Sequence, residues 1–188
     1  TIVFNADDFC YLHFLLSNFW PMEQKQLLYD LFQAYYDCRK NKRKTINQLS
    51  FELNYEANLI KLRDEIFKRT YEIWKSIAFI VNKPVKREVF AWDFRDRVVH
   101  HYIINKINPY FEKSFIYDSY SCREWKWVLF WVKRIQRFLK SASENYKNDS
   151  YILKLDIKWF FMSIDKSILH KKLVEFINEK YDDNLDDR

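Results

Sequence analysis

Apolar residues return every three or four positions through most of this chain. Leu27, Leu28, Leu31, Phe32, Tyr35 and Tyr36 recur at that interval up to Cys38, which places one apolar stripe along a helix, and Pro21 is suited to its first turn. Phe51, Tyr55, Leu59, Leu62, Ile66 and Phe67 line one side of a helix predicted over 47–71, with Glu56, Lys61, Arg63, Asp64, Glu65 and Lys68 as solvated charge on its other faces. Val98, Val99, Tyr102, Ile103 and Lys106 follow a helical period behind Asp93, a good cap, and the spacing predicts an end near Ile107, ahead of Pro109. Over 128–140, Val128, Val132, Ile135, Phe138 and Leu139 are expected to face inward, and Lys133, Arg134, Arg137 and Lys140 outward. Ile168, Leu169, Leu173, Phe176 and Ile177 mark a core-facing helix over 166–180, with Ser163 or Asp165 as its cap. A short helix is expected behind Asp7-Asp8 in the first 19 residues, where His13 reads as a core or boundary residue.

Three stretches break the helical period. Residues 76–81 and 85–91 read as two strands around Asn82-Lys83-Pro84, a projecting basic hairpin. Residues 115–123 read as a short extended segment and turn, and 141–150 as a polar loop. Tyr151-Ile-Leu-Lys-Leu-Asp156 has the pattern of a buried strand with one acid at its end. A carboxylate there is costly unless something pairs with it, and a divalent cation is a common partner; the other reading is an Asp that caps a turn. The expected class is α+β: a mostly helical N-terminal extension, a hairpin with helices, and one further strand followed by a helix.

Charge and composition narrow the function. The 188 residues are enough for a real core, and 48% hydrophobic with 20% aromatic content excludes a disordered chain. The net charge of +6 and pI near 9.0 suit a polyanionic partner. Arg39, Lys40, Lys42, Arg43 and Lys44 form a cluster that grips phosphates without reading sequence, or else a solvated turn. Cys10, Cys38 and Cys122 are far apart, so neither a zinc site nor a disulfide framework follows, and a reducing, cytoplasmic setting is expected. No apolar run suits a membrane span and no signal peptide is visible. His100 and His101 diverge by about 100° on a helix and are not expected to share one ion.

Several of these segments carry a family resemblance. Lys83-Pro-Val-Lys-Arg87-Glu-Val-Phe-Ala with Phe94-Arg-Asp-Arg97, then Phe115-Ile-Tyr-Asp-Ser-Tyr-Ser-Cys-Arg123, then Leu155-Asp156-Ile157 followed by Ser163-Ile-Asp165, resemble in order and spacing the first fingers motif, the second fingers motif and the first catalytic motif of reverse transcriptases of the group II intron, retron and diversity-generating retroelement type. The resemblance covers about residues 76–169. It implies an RNA-directed DNA polymerase with segments at 1–74 (basic helical extension), 75–149 (fingers) and 150–188 (start of the palm, truncated). It implies two Mg2+ ions, or Mn2+ in their place, ligated by Asp156 with help from the Ile157 carbonyl. Lys83 and Arg87 would contact the incoming deoxynucleoside triphosphate, and Phe161 would disfavour a ribose 2′-hydroxyl. Arg123 and Lys126 would line the path of an RNA template and DNA primer, and the basic cluster at 39–44 would touch template RNA. The other metal-binding aspartates of the family are not in this sequence; Tyr181-Asp-Asp follows a helix directly and does not match their hairpin. The isolated chain is therefore expected not to polymerise. Two alternatives stand beside this reading: a non-catalytic nucleic-acid-binding module derived from such an enzyme, and a structural helical domain.

One count is abnormal. The chain has 0 Gly and 7 Trp, where average usage of about 7% predicts roughly 13 Gly. Trp125 and Trp127 stand where the resembling pattern is Cys-Arg-x-Gly-Lys-Gly, and Trp74 and Trp159 fall at turn positions too. UGA codons read as glycine in the source cell would produce this substitution; the alternative is a native Trp-rich chain. Tryptophan supplies neither positive φ nor close backbone approach, so a distorted loop is expected at 125–127.

Overall fold

The computed structural model describes residues 23–40, 45–74, 77–82, 87–123, 125–157 and 160–182. Along these the order is α1 (Gln24–Arg39), α2 (Ile46–Glu52), α3 (Tyr55–Phe67), β1 (Ile77–Val81), β2 (Arg87–Ala91), α4 (Phe94–Ser114), α5 (Val128–Ala142), the four-residue α6 (Phe160–Ser163) and α7 (Lys166–Asp182). The described chain is mostly helical. β1 and β2 pair antiparallel, with Ile77 opposite Ala91 and Val81 opposite Arg87, as the hairpin pattern predicts. The chain forms two compact units: residues 1–108 together with 160–188, and residues 109–159. The segments at 1–74, 75–149 and 150–188 divide the chain by expected role and cut it elsewhere.

In the first unit the stripes predicted for α1, α3 and α4 become the core. α1 buries Leu27, Leu31, Ala34, Tyr35 and Cys38; α3 buries Leu59, Leu62 and Ile66; α4 buries Phe94, Val98, Val99, Tyr102, Ile103 and Ile107. Aromatic rings tie the four helices together. Tyr35 stacks on Tyr55 at 5.0 Å and meets Phe94 edge-on at 6.1 Å, while Phe51 meets Phe94 at 5.4 Å. Each such pair adds about 0.5–1.5 kcal/mol beyond the area it buries.

Five expectations are corrected. The stripe of α5 expected to face inward buries no residue, and of the stripe expected to make α7 core-facing only Ile177 is buried, Ile168 and Leu169 being exposed. The helix expected across 47–71 is two helices, broken at Leu53–Asn54, where Asn54 leaves helical geometry (φ −135°, ψ 42°). Asn58 Nδ2 then donates to the Phe51 carbonyl at 3.0 Å, which satisfies an acceptor at the break. α4 does not stop before Pro109 but runs to Ser114. Proline removes one N–H, yet the turn beyond it is closed by Ser114 Oγ donating to the Tyr110 carbonyl at 3.1 Å and Phe115 N–H donating to that of Phe111 at 3.0 Å. Residues 151–157 are not a buried strand: they have no regular structure, and Tyr151, Leu153 and Leu155 are 95%, 81% and 80% exposed. A strand needs a partner for its backbone groups and cover for its faces, and the described residues provide neither.

Candidate nucleic-acid interface

Asp93 starts a buried polar cluster in the first unit. Its carboxylate accepts the Arg95 N–H at 3.0 Å and its carbonyl accepts the Arg97 N–H at 3.1 Å, which is N-capping of α4 as expected. Capping aims Arg95 and Asp96 inward. Asp96, fully buried, accepts from the Tyr71 hydroxyl at 2.8 Å, the Trp74 N–H at 2.9 Å and Arg95 Nη1 at 3.0 Å. Arg95 also donates to the Glu72 carbonyl at 3.0 Å, pairs with Glu65, and lies over the rings of Tyr71 (4.7 Å) and Trp74 (4.9 Å). Burial pushes the Asp96 carboxyl above its ordinary range, against the pull of Tyr71, Trp74 and Arg95; burial, then the Asp96 charge, pushes the Tyr71 phenol up. Beside this network lies a pocket of about 310 Å³ lined by residues including Asn54, Asn58, Lys61 and Trp74. Every polar group of Asp96 is met by a neighbour, so the cluster serves the joint between α4 and the 71–74 segment.

The His100 ring meets Trp92 edge-on at 5.6 Å. Burial, with a smaller contribution from His101, holds its pKa down at about 4.

In the second unit, three cations hold the loop between α4 and α5. Arg123 Nε donates to Glu112 at 2.9 Å and Nη1 to the Ile116 carbonyl at 3.0 Å, with the guanidinium 5.2 Å from the Phe115 ring centre. Lys126 Nζ donates to the Tyr117 carbonyl and lies 4.4 Å from that ring. Arg134 grips Asp118 with two bonds, 2.8 and 3.2 Å, and lies over Tyr117 and Phe138. The Arg134 hydrogen bond, then that from Tyr120, holds the Asp118 carboxyl down at about 2.

Placed on this structure, the expected site residues separate. Asp156 and Ile157 lie on the exposed 151–157 segment, and Asp156 accepts no hydrogen bond among the described residues. Arg87 opens β2 opposite Val81 and Phe161 sits in α6, but their side chains, and all of Lys83, Lys42, Arg43 and Lys44, lie outside the described residues. Arg39 pairs with Glu52 at 2.7 Å and Lys40 with Asp37 at 2.8 Å, so both cations are already met by acids. Arg123 and Lys126 come together, but their charged heads are turned to the loop they brace. Asp165 caps α7, accepting from the N–H groups of Ser167 (2.9 Å) and Ile168 (3.2 Å); the Ser167 hydroxyl, then these N–H groups, lower its pKa.

The two-ion expectation can be tested on the donor set. Mg2+ takes about six oxygens in near-octahedral array. Asp156 with the Ile157 carbonyl supplies far fewer, and among the described residues no group of three or more His, Cys, Asp or Glu could hold a metal ion. The described residues do not make a two-ion centre.

A site the residue-by-residue reading passed over lies on α5. Lys133, Arg137 and Lys140 are exposed, have no acidic partner among the described residues, and share one face at i, i+4, i+7 spacing. Trp131, Ile135 and Phe138 form the opposite stripe, 38%, 38% and 47% exposed. The signal was in the sequence: cations at helical spacing, read only as an outward face. The whole 109–159 unit carries ten Lys and Arg against six Asp and Glu. No family model matches the chain, and no curated protein matches it. Among the described residues no helix is long and apolar enough to cross a membrane.

Proposed function

We propose that this chain is the fingers and the beginning of the palm of an RNA-directed DNA polymerase, and that the function it carries by itself is gripping a nucleic-acid backbone. The observation that carries the reading is the order of motifs on one chain. A basic hairpin is followed directly by the Asp93-capped helix bearing Phe94-Arg-Asp-Arg97, then by Cys122-Arg123, then by Leu155-Asp156-Ile157 ahead of Ser163-Ile-Asp165. The α5 stripe of Lys133, Arg137 and Lys140 supports it, because unpartnered cations on one face suit successive phosphates. In the parent enzyme Asp156 is one of several carboxylates that hold two divalent ions, and the substrates are an RNA template, a DNA primer and deoxynucleoside triphosphates. The setting is cytoplasmic.

The lone exposed carboxylate of Asp156 favours a second reading, a binding module that performs no chemistry. Primer extension with Mg2+ or Mn2+ by the isolated chain bears on both. The expected result is tight, salt-sensitive binding of single-stranded RNA with no extension. Extension would show that the chain completes its own active site, contrary to the donor set. Absence of RNA binding at low salt would overturn both readings in favour of a structural helical domain.

A further inference from the structure

We propose that position 125 is glycine in the protein as its source cell makes it, encoded by a UGA codon that the cell reads as glycine. A chain of this length with 0 Gly must put other residues wherever the backbone turns left-handed. Arg69, Cys122, Trp125, Glu144, Asn145 and Tyr146 all do so, Trp125 at φ 64°. For a bulky residue that conformation is an outlier, whereas Gly adopts it freely.

What separates Trp125 from the others is its bulk: it carries the largest side chain of the six and leaves most of it in water. Tryptophan ordinarily removes a large ring from water. Here Trp125 is 81% exposed and Trp127 is 73% exposed, and their rings stack on one another at 6.5 Å. The loop around them is held by groups that need neither indole: Arg123 on Glu112 and the Ile116 carbonyl, Lys126 on the Tyr117 carbonyl, and Arg134 on Asp118. Trp74 and Trp92 differ, since each supports a neighbour, Arg95 and His100 respectively. The inference is therefore made for 125, where a left-handed backbone and a largely exposed indole coincide; Trp127 shares the exposure, but its φ of −68° makes no demand for glycine.

The experiment is mass spectrometry of the chain purified from the cells that carry its gene, with fragmentation of peptides spanning residues 124–133. The expected result is glycine at position 125, the peptide being lighter by the difference between the two residues. Tryptophan at position 125 overturns the inference. The readout is independent of whether the chain binds RNA.

Discussion

Residues 24–107 and residues 109–159 both carry helical apolar patterns, the sharper one on α5, yet they come to different ends. In the first stretch the stripes of α1, α3 and α4 meet, and Leu31, Leu59, Phe94 and Val98 are fully buried. In the second, α5 buries no residue at all and the Tyr151–Ile157 run stands in solvent. The difference is one of partners. Helices with matching stripes cover one another, and packing rather than propensity supplies most helical stability. On α5, Phe130 meets the rings of Tyr117 and Tyr120 in the neighbouring loop, which is too little to bury the stripe, and the lone extended run stays exposed throughout. An apolar pattern says that a face needs cover; it does not say where the cover is.

The largest effect that would break this comparison belongs to the buried network at the start of α4. Asp96→Ala leaves Arg95, the Tyr71 hydroxyl and the Trp74 N–H without their shared acceptor, and should cost about 3–5 kcal/mol in urea unfolding; a loss near zero would mean that Arg95 is not held as described. Next come paired truncations. Leu59→Ala in the core should lose about 2–5 kcal/mol, while Leu153→Ala on the exposed run should stay within about 0.5 kcal/mol. Similar losses at both positions would show that 151–157 is covered in solution.

A comparable effect is set by pH. His100 ionises at about 4 in the fold, against an ordinary 6.5. Its folded pKa is depressed, so stability is full above pH 6.5 and falls as pH drops from 6.5 towards 4. The total is about 3 kcal/mol. Denaturation midpoints measured across that window should decline for the native chain and decline less for His100→Gln; parallel curves would contradict the burial of His100. The smallest effect tests the strained loop. Trp125→Gly should be more stable than Trp125→Ala by about 1 kcal/mol, because only glycine relieves the left-handed backbone; equal stabilities would count against the strain.

These contrasts also show how far the sequence could be read. Helix stripes, the hairpin, the Asp93 cap and the Asp165 cap were legible because each depends on residues close in sequence. The break at Leu53–Asn54 was not, since it rests on one backbone angle and an Asn58 side-chain bond. The continuation of α4 through Pro109 was not, because the penalty of one lost N–H is outweighed by structure on both sides. Asp156 was misplaced for a different reason: its strand pattern is intact, but a strand is a property of a pair. Among the site residues, sequence could mark Arg39, Lys40, Arg123 and Lys126 as basic. It could not see that Glu52, Asp37, Glu112 and the Tyr117 carbonyl already engage them, nor that Lys133, Arg137 and Lys140 remain available.

The central claim is that this available stripe grips a nucleic-acid backbone, and salt dependence tests it most directly. Affinity for a single-stranded RNA should be measured by fluorescence anisotropy across a salt series, for the native chain and for the triple variant Lys133→Glu, Arg137→Glu, Lys140→Glu. The account predicts that the native chain's log–log slope is steep and that the variant's is shallower by about 2, near 0.7 for each lost phosphate contact, with the fold intact by circular dichroism. An unchanged slope and affinity in the folded variant would contradict it.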